Sequence, residues 1–168
     1  MYIIVIVGLA LLGALVHIGL GRQARTAATV LEILVLWTLI FSGISSLFAF
    51  IGHVYFGPTT ARIIGWPAGN PFQFEVGIAN LSIAILALLS IWRRGDFWLA
   101  TIISISVFMW GAAYGHIVQI IRFDNLAPGN AGPILYVDIF LPIILIGLYV
   151  AYKVTAAAQV ERIERQRA

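Results

Sequence analysis

Cysteine is absent from the chain. That excludes disulfides, thiol catalysis, cysteine-held zinc or iron–sulfur centres and thioether-attached haem together. Charge is scarce as well: Asp, Glu, Lys and Arg make up 10% of the residues, against about 25% in an ordinary soluble domain. The chain has three histidines and seven acidic residues, and no H-x-x-E-H or E-x-x-H motif joins any of them. No internal repeat is evident. The glycines lack the strand–helix setting and paired lysine of a phosphate cradle. What the chain does have is apolar surface. It is 61% hydrophobic over 168 residues, with a mean hydropathy of +1.00. A water-soluble core cannot absorb that excess, so the composition predicts an all-α, polytopic transmembrane helix bundle.

Five apolar segments are long enough to cross a hydrocarbon core, which takes about 20 helical residues. They fall at 2–20, 30–56, 72–92, 97–121 and 133–154, and form a single five-helix transmembrane domain over 1–154. A short charged tail, 155–168, extends into the cytoplasm as a helical continuation. The first segment has no basic region before it and no small-residue cleavage site. It therefore reads as a retained span rather than a signal peptide.

An N-out, C-in orientation puts Arg22, Arg25, Arg93, Arg94, Lys153, Arg162, Arg165 and Arg167 inside, with only Arg62 and Arg122 outside. That split follows the positive-inside rule for a multi-pass protein of the cytoplasmic membrane. The basic pI of about 9.6 is explained by these orienting charges, and nucleic acid is not an expected partner. Tyr2, Tyr55, Trp66 and Tyr136 would form the outer aromatic belt, and Trp92, Trp98, Tyr149 and Tyr152 the inner one. The expected partner is the lipid bilayer, with other membrane subunits or further copies of the chain as additional candidates.

Local signals mark helix ends. Thr29-x-x-Glu32 has the form of a capping box. Asn70-Pro71 offers an N-cap followed by proline at the first helical position. Asp96 and Pro133 are suited to open the last two spans. Small residues mark packing faces: Ala10, Gly13, Ala14, His17 and Gly21 in the first span, Ser42, Ser45, Ser46, Ala49, Gly52 and His53 in the second, and Gly111-x-x-x-Gly115 in the fourth. His17, alone at its depth, reads as a packed or snorkelling side chain.

Four ionisable groups share one depth. Counted from the predicted helix ends, His53, Glu75, His116 and Asp138 fall roughly 5–8 Å below the outer boundary, each on a different span. Pro142 lacks the N–H that would bond the Asp138 carbonyl, so a kink is expected beside that carboxylate. Two imidazoles and two carboxylates suit zinc, iron or manganese, and this metal site is the leading expectation. The two histidines are alternatively placed to hold a haem from both faces. Without a metal, the cluster could relay protons or act as acid and base on a lipid-soluble substrate.

Gln119, one turn above His116, and Asn80 are carried as further ligand contacts. Asn80 also reads as an interhelical hydrogen bonder, with Gly77, Ala84 and Ala87 on its face. Asp124 and Asn125 read as turn residues. The two longer outer loops, 57–71 and 122–132, are expected to fold over the mouth of the bundle as its lid.

The run Trp66-Pro-x-Gly-Asn-Pro-Phe-Gln-Phe-Glu-x-Gly-x-Ala-Asn80, with Trp110-Gly through Gly115-His-Ile and Ala127-Pro-Gly-Asn-Ala-Gly132, resembles a family of small bacterial and archaeal membrane proteins known only as a domain of unknown function. The resemblance puts Glu75 and His116 inside its recognisable motifs. The glutamate, glycine and apolar run of the third span are more distantly similar to DoxX-type four-helix membrane proteins. That similarity implies an association with respiratory quinone chemistry or membrane redox stress, although this chain has a fifth expected span. Two rival readings accompany the metal site. One is a non-catalytic subunit of a larger membrane complex, its polar pairs only pinning helices. The other is a small proton-coupled transporter, disfavoured because the inner halves of the last three spans are almost wholly apolar.

Overall fold

A computed structural model describes residues 2–21 and 25–167, and of residues 2–7 the backbone only. Arg22 and the Tyr2 side chain, used above for orientation and for the aromatic belt, lie outside the described residues. Those residues form six helices and no strand: α1 (Tyr2–Leu20), α2 (Ala27–Tyr55), α3 (Gly57–Ile64), α4 (Phe72–Leu89), α5 (Asp96–Phe123) and α6 (Pro133–Arg167). Four of them, α2, α4, α5 and α6, are long and apolar enough to cross a membrane. The part of α1 with described side chains, Gly8–Leu20, is apolar but shorter.

The long helices match the predicted segments, with shifts at their ends that have local causes. α2 begins at Ala27 because Thr26 is the true N-cap, its hydroxyl accepting from the Thr29 N–H at 3.2 Å. The expected box at Thr29 is therefore one turn too late. Glu32 instead pairs with Arg94 at 3.1 Å. Asn70 does cap α4, its side-chain oxygen accepting from the Phe72 N–H at 2.9 Å, although Pro71 occupies the N-cap position. α5 opens after Gly95 at φ 65°, with no side-chain cap from Asp96. α6 starts at Pro133 and runs unbroken for 35 residues, so the charged tail is its helical continuation through Arg167.

The unpredicted element is α3, inside what the sequence marked as a loop. Proline near its start supplies a preset helical φ. Gly57, Ala61 and Ile64 form its buried face. Gly65, at φ 80°, closes it as the Trp66 N–H bonds the Ala61 carbonyl at 2.8 Å. A side chain at Gly65 would be strained by that φ and would also strike Asn125.

α2 is the central helix, packed along α4 and flanked by α1 and α6, with α5 held mainly through α6. Close approach of α2 to α4 depends on glycine: a Cβ on Gly43 would sit 3.0 Å from Leu88, and one on Gly77 would overlap Val54. The α1 stripe also packs as expected, with Ala14 buried and Gly13 against the Trp37 ring. Trp37 donates to His17 Nδ1 at 3.3 Å, which makes His17 a packed histidine. The core below the middle of the bundle is dry and apolar, built on Val35, Leu39, Ile83, Ile102, Leu145 and Trp98.

Gly111 and Gly115 behave differently. A Cβ at either would meet no atom within 4 Å. Contrary to expectation, this stripe is not a helix-packing face.

Candidate functional site

Helix phase selects which polar side chains turn inward. On α6, Asp138 lies on the buried stripe Leu135, Asp138, Leu141, Leu145 and Tyr149. On α5, His116 continues the stripe of Ile102, Ile105, Ser106 and Ala113. Both residues are therefore buried, at 8% exposure for His116 and 6% for Asp138. His116 Nε2 lies 3.6 Å from Asp138 Oδ2. That is charge-pairing distance, but too long for a hydrogen bond, so both groups keep capacity for a further polar contact.

The other side of the imidazole is fixed by Asn130, which is fully buried. Its amide nitrogen donates to the His116 carbonyl at 3.2 Å and to the Asn125 carbonyl at 2.9 Å. Those two bonds set the amide orientation and leave Oδ1 as an acceptor, 2.8 Å from His116 Nδ1. His116 must then carry its proton on Nδ1, and Nε2 is the nitrogen turned to Asp138. Nε2 and the Asp138 carboxylate each keep acceptor capacity beside the other, an arrangement suited to acid–base work.

The loops after α3 and α5 complete the site. Gly129 N–H donates to the Ile63 carbonyl at 2.9 Å, and Asn125 Nδ2 to the Ile64 carbonyl at 3.0 Å. These bonds pin the loop after α5 onto α3, which is itself tied to α2 by Thr60 donating to the Gly52 carbonyl at 2.8 Å. Trp66 turns inward and stacks on His116, with ring centroids 6.4 Å apart and planes 22° from parallel. The two loops thus meet over His116, as the lid expectation held. Asn125 does more than make a turn, while Asp124, at φ 51°, is the left-handed cap of α5.

His53 takes a different partner. Its Nδ1 lies 2.7 Å from Gln73 Oε1. Gln73 is 5% exposed and its Nε2 has no partner. Whichever way that amide is turned, one of its two polar atoms stays buried without a bond.

Glu75 does not join the group. It is exposed, on the α4 face that carries Phe74, Ile78, Ser82, Ile85 and Leu89. Helical rise alone does not fix which way a side chain points. The small-residue stripe Gly77, Asn80, Ala84 and Ala87 that marks the inner face of α4, continued outward by one turn, arrives at Gln73. Among the described residues, no three His, Asp or Glu side chains come together closely enough to hold a metal ion. The expected four-ligand set is not assembled.

A cavity of about 2000 Å³ lies beneath the lid and brings several of these residues together. His53, Asn80, His116, Gln119, Arg122 and Asp138 all line it, and its walls are mostly apolar, with Ile40, Ile44, Phe48, Val107 and Phe108 among them. Asn80 bonds the Val76 carbonyl of its own helix at 2.9 Å rather than a neighbouring helix. The volume exceeds the roughly 300–1,000 Å³ of an ordinary small-molecule pocket.

Sequence reasoning missed Asn130 and Gln73. Asn130 sits in a Pro-Gly-Asn-Ala-Gly run, where asparagine is the ordinary turn residue, and nothing local distinguishes a buried one. Gln73 could have been found from the stripe.

Among known families, one described as a family of unknown function (DUF6790) matches residues 1–158. No curated protein and no solved structure matches the chain.

Proposed function

The chain belongs to the DUF6790 family, whose function is unknown, and from its own geometry we propose that it is an integral membrane protein that takes a lipid-soluble small molecule into its outer cavity and exchanges a proton with it through His116 and Asp138. The observation that carries this reading is the convergence of a buried imidazole–carboxylate pair on a large cavity with apolar walls. An ionisable pair inside a membrane bundle has to be explained by a partner or by a task. Here the partner distance leaves both groups with unused hydrogen-bonding capacity. In this reading α1 is a fifth span, the N-terminus and the lid lie outside, and the tail of α6 lies in the cytoplasm. The positive charges of the sequence support that orientation.

A transition metal is the weaker reading. His116 and Asp138 supply two protein ligands, whereas a catalytic zinc site has three.

Mass spectrometry of organic extracts from protein purified in mild detergent tests the proposal. Wild-type protein is expected to retain a lipid-soluble small molecule that bulk lipid does not account for. Asp138→Asn should retain it about tenfold or more less well, the loss expected for one charged hydrogen bond. Extracts matching bulk lipid from both proteins would end the proposal.

A further inference from the structure

We propose that the group recognised in the cavity is a hydrogen-bond acceptor oxygen, carried on an apolar tail that enters from the bilayer between α2 and α5. The inference rests on the cavity reading above and specifies the ligand class.

The first observation is Trp66. Its Nε1 is buried and has no partner, while its ring lies on His116 and lines the cavity. An indole N–H donates and never accepts. Buried donors are almost always satisfied, and this one, itself closed off but carried on a ring that lines the cavity, reaches an acceptor in the cavity when the ring shifts. Arg122, at the outer end of α5, lines the same cavity and is also donor-only. A ketone, carboxylate or phosphate oxygen can pair with either donor. An ammonium head, itself a donor, satisfies neither.

The second observation concerns access. Gly111 and Gly115 line the cavity, yet a Cβ added at either meets nothing within 4 Å. On α2, Ile44 and Phe48 are exposed apolar side chains that line the same cavity. α2 and α5 approach each other only sparsely along their backbones, although side chains of both join the apolar core. Between two membrane-crossing helices, such an apolar gap opens to lipid tails rather than to water. The outer end is covered by the joined loops. An amphiphile would therefore slide in sideways, tail between the helices and head beneath Trp66.

Native mass spectrometry of the full chain with four single-tail probes tests this. The probes are octadecanoate, octadecyl phosphate, a long-chain ketone and, as the donor-headed control, octadecylamine. Wild-type protein should bind at least one acceptor-headed probe about tenfold more tightly than the amine, and the preferred head identifies its source as carboxylate, phosphate or carbonyl. Trp66→Phe keeps the ring on His116 and should weaken that probe about fivefold without changing the amine, the effect of one lost neutral hydrogen bond. Gly115→Leu has room to fold normally and should weaken every long-tailed probe. Equal binding of amine and acceptor heads, unchanged in Trp66→Phe, would overturn the acceptor inference while leaving the cavity as a ligand site. Unchanged binding in Gly115→Leu would overturn the lateral path. If none of the four probes binds, the inference and the cavity reading fall together.

Discussion

The two ends of the bundle use similar side chains for opposite purposes. At the α4–α5 end, Trp98 donates to the Ser90 carbonyl at 2.8 Å, and Arg94 lies 4.9 Å over the same indole while pairing with Glu32. Tyr149 reaches the Gly95 carbonyl at 3.4 Å, and Tyr152 packs on Trp98 and Tyr149. Trp98 and Tyr149 join the apolar core directly. At the opposite end, Trp66 has an unmatched N–H, Gln73 an unmatched amide atom, and His116 and Asp138 stand beyond hydrogen-bond distance beside a cavity. A polar group that fastens helices closes its bonds within the protein. A polar group that serves a ligand keeps capacity open. Aromatic, basic and carboxylate residues alone do not distinguish the two cases, but their bonding does.

Substitutions should separate the ends, and the largest effect is expected at Asn130. Asn130→Leu removes one acceptor and two donated bonds at a fully buried position. A loss of about 3 kcal/mol is expected, read by denaturant unfolding in micelles, together with loss of the bound small molecule. At the α4–α5 end, Trp98→Phe removes one buried bond and weakens the Arg94 stacking. It should cost about 1–2 kcal/mol while leaving ligand retention as in wild type. A fall in retention there would break the contrast.

The meeting of His53, His116 and Asp138 on one cavity was legible because helical rise and predicted ends put the three at one level along the bundle. Direction was legible only where a residue shared a stripe with small or buried neighbours, as His53 does with Gly52 and Ala49. Glu75 had depth without phase, and the carboxylate that looked most in need of a partner is on the exposed face. The lid was anticipated from turn-forming composition. Its fastening was not, because Asn125, Asn130 and Gly129 act through contacts about 14 to 66 residues apart in sequence. Likewise α3 depends on a φ of 80° at Gly65 and on contacts with α2, neither of which shows in local hydropathy. The Gly111-x-x-x-Gly115 pattern was read as a packing motif, whereas small residues can equally leave one wall of a cavity open.

Two smaller effects sharpen the comparison. Glu32→Gln breaks the Arg94 pair, whose side chains are about two-fifths exposed. Its cost should stay below about 1 kcal/mol, measured by thermal unfolding, with no change in ligand retention. Smallest of all, Glu75→Gln should alter neither stability, by more than about 0.5 kcal/mol, nor retention. A marked loss of bound small molecule in that variant would restore Glu75 to the site and contradict the assignment of the inner face to Gln73.

The central claim is that His116 and Asp138 serve a ligand rather than fasten α5 to α6. Denaturant unfolding and organic extraction, performed side by side on wild type and Asp138→Asn, test it most directly. The account predicts stability within about 1 kcal/mol of wild type, since no hydrogen bond joins the pair, with retention of the small molecule reduced tenfold or more. Loss of several kcal/mol with retention unchanged would make the pair structural and contradict it.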